Sequence, residues 1–212
     1  MKKNLLLAIG LLTVGAVLFA SGNKEEIVKA KVGFDIGDQA LDFKLKNVDG
    51  QMVSMSDYND AKGFIVVFTC NTCPFSKMYE QRIDDLNKKY ESQGFPLLAI
   101  NSNDVSKQPG DSFEEMVKRS QEKSYSFPYL YDESQAIATA YGATRTPHVY
   151  VLSKDGTNLK VSYIGAIDNN HKDASAVSQK YVEDAVDNLL SGNPVKTTST
   201  KAIGCTIKWK GV

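Results

Sequence analysis

The stretch Phe64 to Phe75, FIVVFTCNTCPF, limits what this chain can fold into more than any other. Phe64 to Phe68 are β-branched or aromatic with no polar break, the pattern of a strand covered on both faces in the middle of a parallel sheet. Beyond Cys73, Phe75, Tyr79, Ile83, Leu86 and Tyr90 recur at helical spacing, with Lys77, Glu80, Asp84, Asp85 and Lys88 on the other side. Cys70 and Cys73 therefore sit where a central strand hands over to a helix N-terminus. Unpaired N–H groups and the positive end of the helix dipole favour an anion at such a place, here a thiolate.

With 212 residues, formal net charge +0, 42% hydrophobic and 24% charged residues, the chain can bury one ordinary core. No basic excess or aromatic-basic interleaving points to a nucleic-acid partner. Lys2 and Lys3 precede an apolar run from Leu5 to Phe19, and Ala20, Ser21 and Gly22 supply small residues for cleavage, the pattern of an export signal. An uncleaved membrane anchor is the alternative, because the run is nearly the ~18 to 20 residues that a spanning helix needs. The expected division is residues 1–20 as signal peptide, 21–36 as linker, 37–194 as the folded domain and 195–212 as a tail packed on it. Without the signal, 23 basic residues face 25 acidic ones, a net charge of about −2.

Export places the expected site in the periplasm or outside the cell, where a C-x-x-C pair can close as a disulfide and a reducing cycle needs electrons delivered from elsewhere. Three cysteines make an odd number. Cys70 and Cys73 are the evident couple, which leaves Cys205 as a free thiol, an alternative partner or an intermolecular one.

The domain opens with Leu41, Phe43 and Leu45 alternating with Asp42, Lys44 and Lys46, a half-buried strand. Asp49-Gly50 turns it into a second arm at Gln51 to Val53. Pro96 to Ile100 reads as another buried strand, ending in the polar cluster Asn101-Ser102-Asn103-Asp104 at the sheet edge where open α/β sheets take ligands. Ser112 to Glu115 fits a capping box for a helix with Phe113, Met116, Val117 and Ser120 on one face. Phe127 to Tyr131 gives a strand and Ser134 to Tyr141 a helix closed by Gly142. Thr144-Arg145-Thr146-Pro147 leads into a strand from His148 to Leu152. Lys154-Asp155-Gly156 turns it back through Leu159, Val161 and Tyr163, and Val177 to Leu190 is the last helix.

Strands and helices alternate through the middle, with an antiparallel pair near the end. This order predicts an α/β domain with a mixed central sheet flanked by helices, an N-terminal β-hairpin extension and a C-terminal extra strand. With the cysteine pair after the central strand and Thr-Pro before a late hairpin, the chain resembles the thioredoxin fold. In particular it resembles the peroxiredoxin-like bacterial redoxins of the alkyl hydroperoxide reductase/thiol-specific antioxidant type. The resemblance spans roughly Gly37 to Leu190 and rests on Phe68 to Pro74, Arg145 to His148 and the closing Ile203 to Trp209.

The resemblance implies a thiol:disulfide oxidoreductase acting on protein disulfides, monomeric, without cofactor or metal, and fed by a membrane-embedded reductase. It implies Cys70 as nucleophile, Cys73 as resolving thiol, Pro147 as a cis-proline against the pair, and Thr146 as the residue whose backbone meets the substrate. Two further readings remain open. In a thiol peroxidase Cys73, followed by Pro74, would attack, with Arg145 or Arg119 as the assisting arginine, although Cys70 stands where such enzymes carry a threonine. In a copper-binding protein of Sco type the two thiols would need a distal histidine such as His171.

Asp57, Glu80 and Asp84 are the acids near the motif, read equally as solvated charges or as a buried acid assisting Cys73. In the tail, Cys205, Ile207 and Trp209 alternate with Thr206 and Lys208, which predicts an added edge strand with Trp209 as its anchor. Cys205 is then either a buried inert thiol or a third redox residue.

Overall fold

The computed structural model describes residues 32–211. The expected signal segment and residues 21–31 of the linker lie outside the described residues.

The chain builds a hairpin from β1 (Lys44–Asn47) and β2 (Met52–Ser54) and then the central strand β3 (Gly63–Phe68). Helix α1 (Pro74–Tyr90), β4 (Leu97–Asn101), α2 (Phe113–Lys123), β5 (Tyr129–Tyr131) and α3 (Ala136–Tyr141) follow. The two-residue strand β6 (Arg145–Thr146) leads into β7 (His148–Asp155), β8 (Asn158–Gly165), α4 (Tyr181–Leu190) and β9 (Cys205–Thr206). Seven strands form one sheet in the order β2-β1-β5-β4-β3-β7-β8. Its middle, β3, β4 and β5, is parallel, and β1, β2, β7 and β8 are joined to it and to each other antiparallel.

Every residue of β3 and β4 is buried, as the unbroken apolar runs require. Side chains alternate across the sheet, so Ile65 and Val67 enter the core on one face with Tyr79, Ile83, Leu86, Val182 and Val186. Phe64, Val66 and Phe68 enter the other with Ala138, Tyr141 and Tyr150. Covered on both faces, β3 holds whatever follows it in a rigid frame.

Four expectations need correction. The first strand begins at Lys44, because Asp42 is drawn out of it to accept the backbone N–H of Met55 and the hydroxyl of Ser54. Asp84, read as part of the polar helix face, is buried and accepts the Ser126 N–H at 2.8 Å. The last helix begins at Tyr181, because Asn169 holds Ser178 and Gln179 through their backbone N–H groups and keeps that segment extended. The tail strand β9 does not extend the main sheet but pairs antiparallel with β6, Thr146 opposite Cys205 and Arg145 opposite Thr206. The main-sheet edge is met earlier, where Thr198 and Thr200 bond the backbone of Ile164 in β8. Ile207 is buried in the second core cluster and Trp209 packs against it.

Candidate active site

Beyond Phe68 the chain leaves the sheet and makes one loop, Thr69 to Cys73, before α1 begins. Cys73 is the residue immediately before the helix, with extended backbone (φ −61°, ψ 124°), and Pro74 supplies the first helical position, where a missing N–H costs nothing. The loop is held from outside. The carboxylate of Asp111, itself fully buried, accepts the N–H groups of Asn71 and Thr72 on Oδ1 at 2.8 and 3.0 Å. Its Oδ2 accepts the Thr72 hydroxyl at 2.9 Å and Asn103 Nδ2 at 2.7 Å. Asn71 completes the clamp, donating to the Gly110 carbonyl at 3.0 Å and accepting the Tyr129 hydroxyl at 3.0 Å.

Both thiols converge on Thr146 from across the fold. Cys70 Sγ lies 3.4 Å from Thr146 Oγ1, and Cys73 Sγ lies 3.1 Å from the Thr146 carbonyl oxygen. The Thr146–Pro147 peptide is cis. Both are free cysteines and almost inaccessible, at 3% and 4% exposure.

The two thiols are electrostatically unequal. The thiol of Cys70 donates toward Cys73 and holds it well below the usual thiol range, helped by the thiol of Cys205 and by backbone N–H groups of Ser76 and Cys205. Burial acts the other way, and at the Thr146 carbonyl it is the Cys73 thiol that donates. Cys70 is pushed up by that same partnership with Cys73, by burial and by the negative charge of Asp111. The two thiols therefore lose their protons as a pair, the first coming off more easily than from an isolated thiol because the other thiol donates to the sulfur left behind.

Cys205 is the third thiol at this place. It stands half-buried opposite Thr146 in the β6–β9 ribbon, the residue whose carbonyl meets Cys73. Burial and the neighbouring Cys73 raise its own pKa. The approach depends on Gly204, where a Cβ would run into the carbonyl of Thr146. Arg145 donates to the Gly204 carbonyl at 3.2 Å and so grips the same strand.

The remaining candidates lie elsewhere. Asp57 closes the capping box of a short 3-10 turn, Glu80 is paired with Arg119 and Tyr125, and Asp84 is paired with Lys88. His148 is buried beside Tyr150, accepts the Thr144 N–H at 3.4 Å, and is pushed down to about 4 by burial, so it is neutral at neutral pH. The His171 ring lies 5.1 Å from that of Phe75. Among the described residues no group of three or more His, Cys, Asp or Glu side chains is arranged to hold a metal ion. Asp111 and Asn103 are the site residues that sequence reasoning missed. Asn103 lay in the polar cluster at the end of β4, but nothing marked Asp111, which precedes a helix cap some forty residues from the loop it holds.

Residues 36–161 match the model of the AhpC/TSA family. The chain belongs to that family. The Halalkalibacterium halodurans protein named thiol-disulfide oxidoreductase ResA is 26% identical over 125 residues, which cover 59% of this chain and 66% of that protein, just under two thirds of its length. Among solved structures, an uncharacterized conserved protein from Geobacillus kaustophilus is 40% identical with a TM-score of 0.78, covering 84% of this chain and 94% of its own. A thioredoxin family thiol:disulfide interchange protein from Chlorobium tepidum TLS shares the fold at 18% identity and TM-score 0.56, covering 74% of this chain and 99% of its own. The motif resemblance to peroxiredoxin-like redoxins and the thioredoxin-like architecture are both borne out.

Proposed function

We propose that the chain is an exported thiol:disulfide oxidoreductase that reduces protein disulfides with the Cys70/Cys73 dithiol. The observation that carries this reading is the meeting of both thiols with Thr146 beside Pro147, at the N-terminus of α1. Disulfide exchange needs a thiolate to attack and a second thiol near enough to release the mixed disulfide, and a two-residue spacing supplies both. The names of the ResA relatives support the same chemistry.

Cys70 attacks and Cys73 resolves, the order that the resemblance implies; Cys70 has the Thr146 hydroxyl beside it at 3.4 Å, and the Cys73 thiol donates to the Thr146 carbonyl at 3.1 Å. Cys70 forms a bond to one substrate sulfur and the other leaves as thiolate. Cys73, giving up its proton, then attacks Cys70, closes the Cys70–Cys73 disulfide and releases the reduced substrate. A substrate strand reaches the backbone of Thr146 by taking the place of β9. A membrane-embedded reductase supplies electrons for the next turnover, and Lys2 to Gly22 supports an extracytoplasmic place for the cycle.

Peroxidase chemistry is the second reading, favoured by the position of Cys73 directly before Pro74. It lacks the threonine hydroxyl, and its two candidate arginines hold Glu80 and the Gly204 carbonyl. Reduction of a protein disulfide and consumption of peroxide, each driven by dithiothreitol, decide between the readings. Wild type should reduce the disulfide, Cys70→Ser and Cys73→Ser should not, and peroxide should be consumed at the buffer rate throughout. Peroxide consumption that survives Cys70→Ser but not Cys73→Ser would establish the peroxidase instead. The order of attack is read in variants that also carry Cys205→Ser, where a substrate mixed disulfide should accumulate on Cys70 in Cys73→Ser and none on Cys73 in Cys70→Ser.

A further inference from the structure

The tail occupies the place that a substrate strand would take. β9 runs antiparallel to β6, with Cys205 directly opposite Thr146, the residue on which both active thiols converge. Its docking is specific. Lys208 N–H donates to Asn103 Oδ1 at 2.9 Å, the Lys208 carbonyl accepts the Asp104 N–H at 2.8 Å and Gln135 Nε2 at 2.7 Å, and Ile207 is buried beneath. Gly204, directly before the strand, permits this approach to Thr146 by its missing side chain. The strand thus brings a cysteine to the residue where the active thiols converge, as a bound substrate would, and of the three thiols Cys205 is the one not fully buried.

We propose that Cys205 is a third redox-active thiol, a built-in substrate that takes the disulfide from the Cys70/Cys73 pair and offers it to the electron donor. The proposal rests on the dithiol reading above. When the pair is oxidised, Cys205 loses its proton and attacks Cys73 Sγ. A Cys73–Cys205 bond forms, the Cys70–Cys73 bond breaks, and Cys70 leaves as a thiolate that takes up a proton, so one disulfide and the same electrons remain in the chain. A donor dithiol then attacks the half-exposed Cys205 sulfur, expels Cys73 as a thiolate, and its second thiol frees Cys205. The substrate meets Cys70 when the tail is displaced, and the donor meets Cys205 when the tail is docked.

The test is a disulfide map of the full chain after one equivalent of diamide, acid quench and trypsin digestion without reduction. Cys70 and Cys73 fall in the peptide spanning 63–77 and Cys205 in that spanning 202–208. A fraction of wild type, and nearly all of Cys70→Ser, should carry the two peptides joined. In Gly204→Ala, which keeps all three thiols but bars the approach, the joined form should be lost. Cys205 alkylated in full at every dose that oxidises the pair would overturn the proposal. So would a joined form whose removal changes nothing, because Cys205→Ser should slow reduction of the oxidised protein by a donor dithiol roughly tenfold. The map needs no turnover, so it decides the role of Cys205 even if the protein fails to reduce any disulfide substrate, an outcome that would count against the dithiol function alone.

Discussion

Replacing Asp111 by Asn keeps the shape of the clamp on the Cys70–Cys73 loop and removes its charge. With the amide oxygen at the Oδ1 position, the N–H groups of Asn71 and Thr72 keep an acceptor, at 2.8 and 3.0 Å in the wild type. The amide nitrogen then stands where Oδ2 accepted Asn103 Nδ2 at 2.7 Å, and two donors face each other. Thr72 can turn its hydroxyl to accept, but Asn103 cannot flip, because its Oδ1 is held by Lys208 N–H at 2.9 Å. One buried donor goes unpaired, at about 1–3 kcal/mol, and the remaining bonds fall from charge-assisted to neutral strength, so the loss totals about 3 kcal/mol. At a urea slope of about 2 kcal/mol/M the unfolding midpoint should drop by about 1.5 M. Removing the negative charge should also lower the thiol pKa of Cys70, which Asp111 helps to raise, and speed its alkylation. A midpoint that moves by less than about 0.25 M would refute the clamp.

Thiolate absorbance in the ultraviolet, followed as a function of pH, should show one group ionised well below the usual thiol range. That signal should move upward in both Cys70→Ala and Cys73→Ser, because each thiol stabilises ionisation of the other, and a signal unmoved by either change would refute the pairing. His148, pushed down to about 4 by burial, is neutral in the folded protein where the unfolded chain would bind a proton. Its contribution to stability is therefore complete above about pH 6.5 and is lost as pH falls toward 4. His148→Gln should shrink the stability difference between pH 7 and pH 5 by about 2 kcal/mol, and an unchanged acid slope in urea unfolding would refute that share. Ile207→Ala empties the tail's anchor and should cost about 2 kcal/mol while accelerating alkylation of Cys205, so an unaltered alkylation rate would show that the tail is held otherwise.

Much of this molecule could be read where local pattern and tertiary environment agree. Phe64 to Phe68 is unbroken and lies in the sheet centre, and the Asp49-Gly50 and Asp155-Gly156 turns join the strand pairs expected of them. The misses share a cause, a polar side chain whose partner is remote in sequence. Asp42 leaves its strand to cap a turn, Asn169 holds Ser178 and Gln179 extended, and Asp84 goes inside to meet Ser126. The active site divides the same way. Its two adjacent thiols announced themselves, but the clamp from Asp111 and the docking of Cys205 are long-range pairings that no periodicity carries.

Gly204 has a meaning for sequence comparison. Because a Cβ at this point would collide with the Thr146 carbonyl, a relative with any larger residue there cannot seat its tail in this way, whatever it carries at the position matching Cys205. Glycine followed by cysteine is therefore the pair to look for in sorting relatives into those with a tethered third thiol and those whose cleft stands open. A chain with cysteine but no preceding glycine should behave as a two-thiol protein.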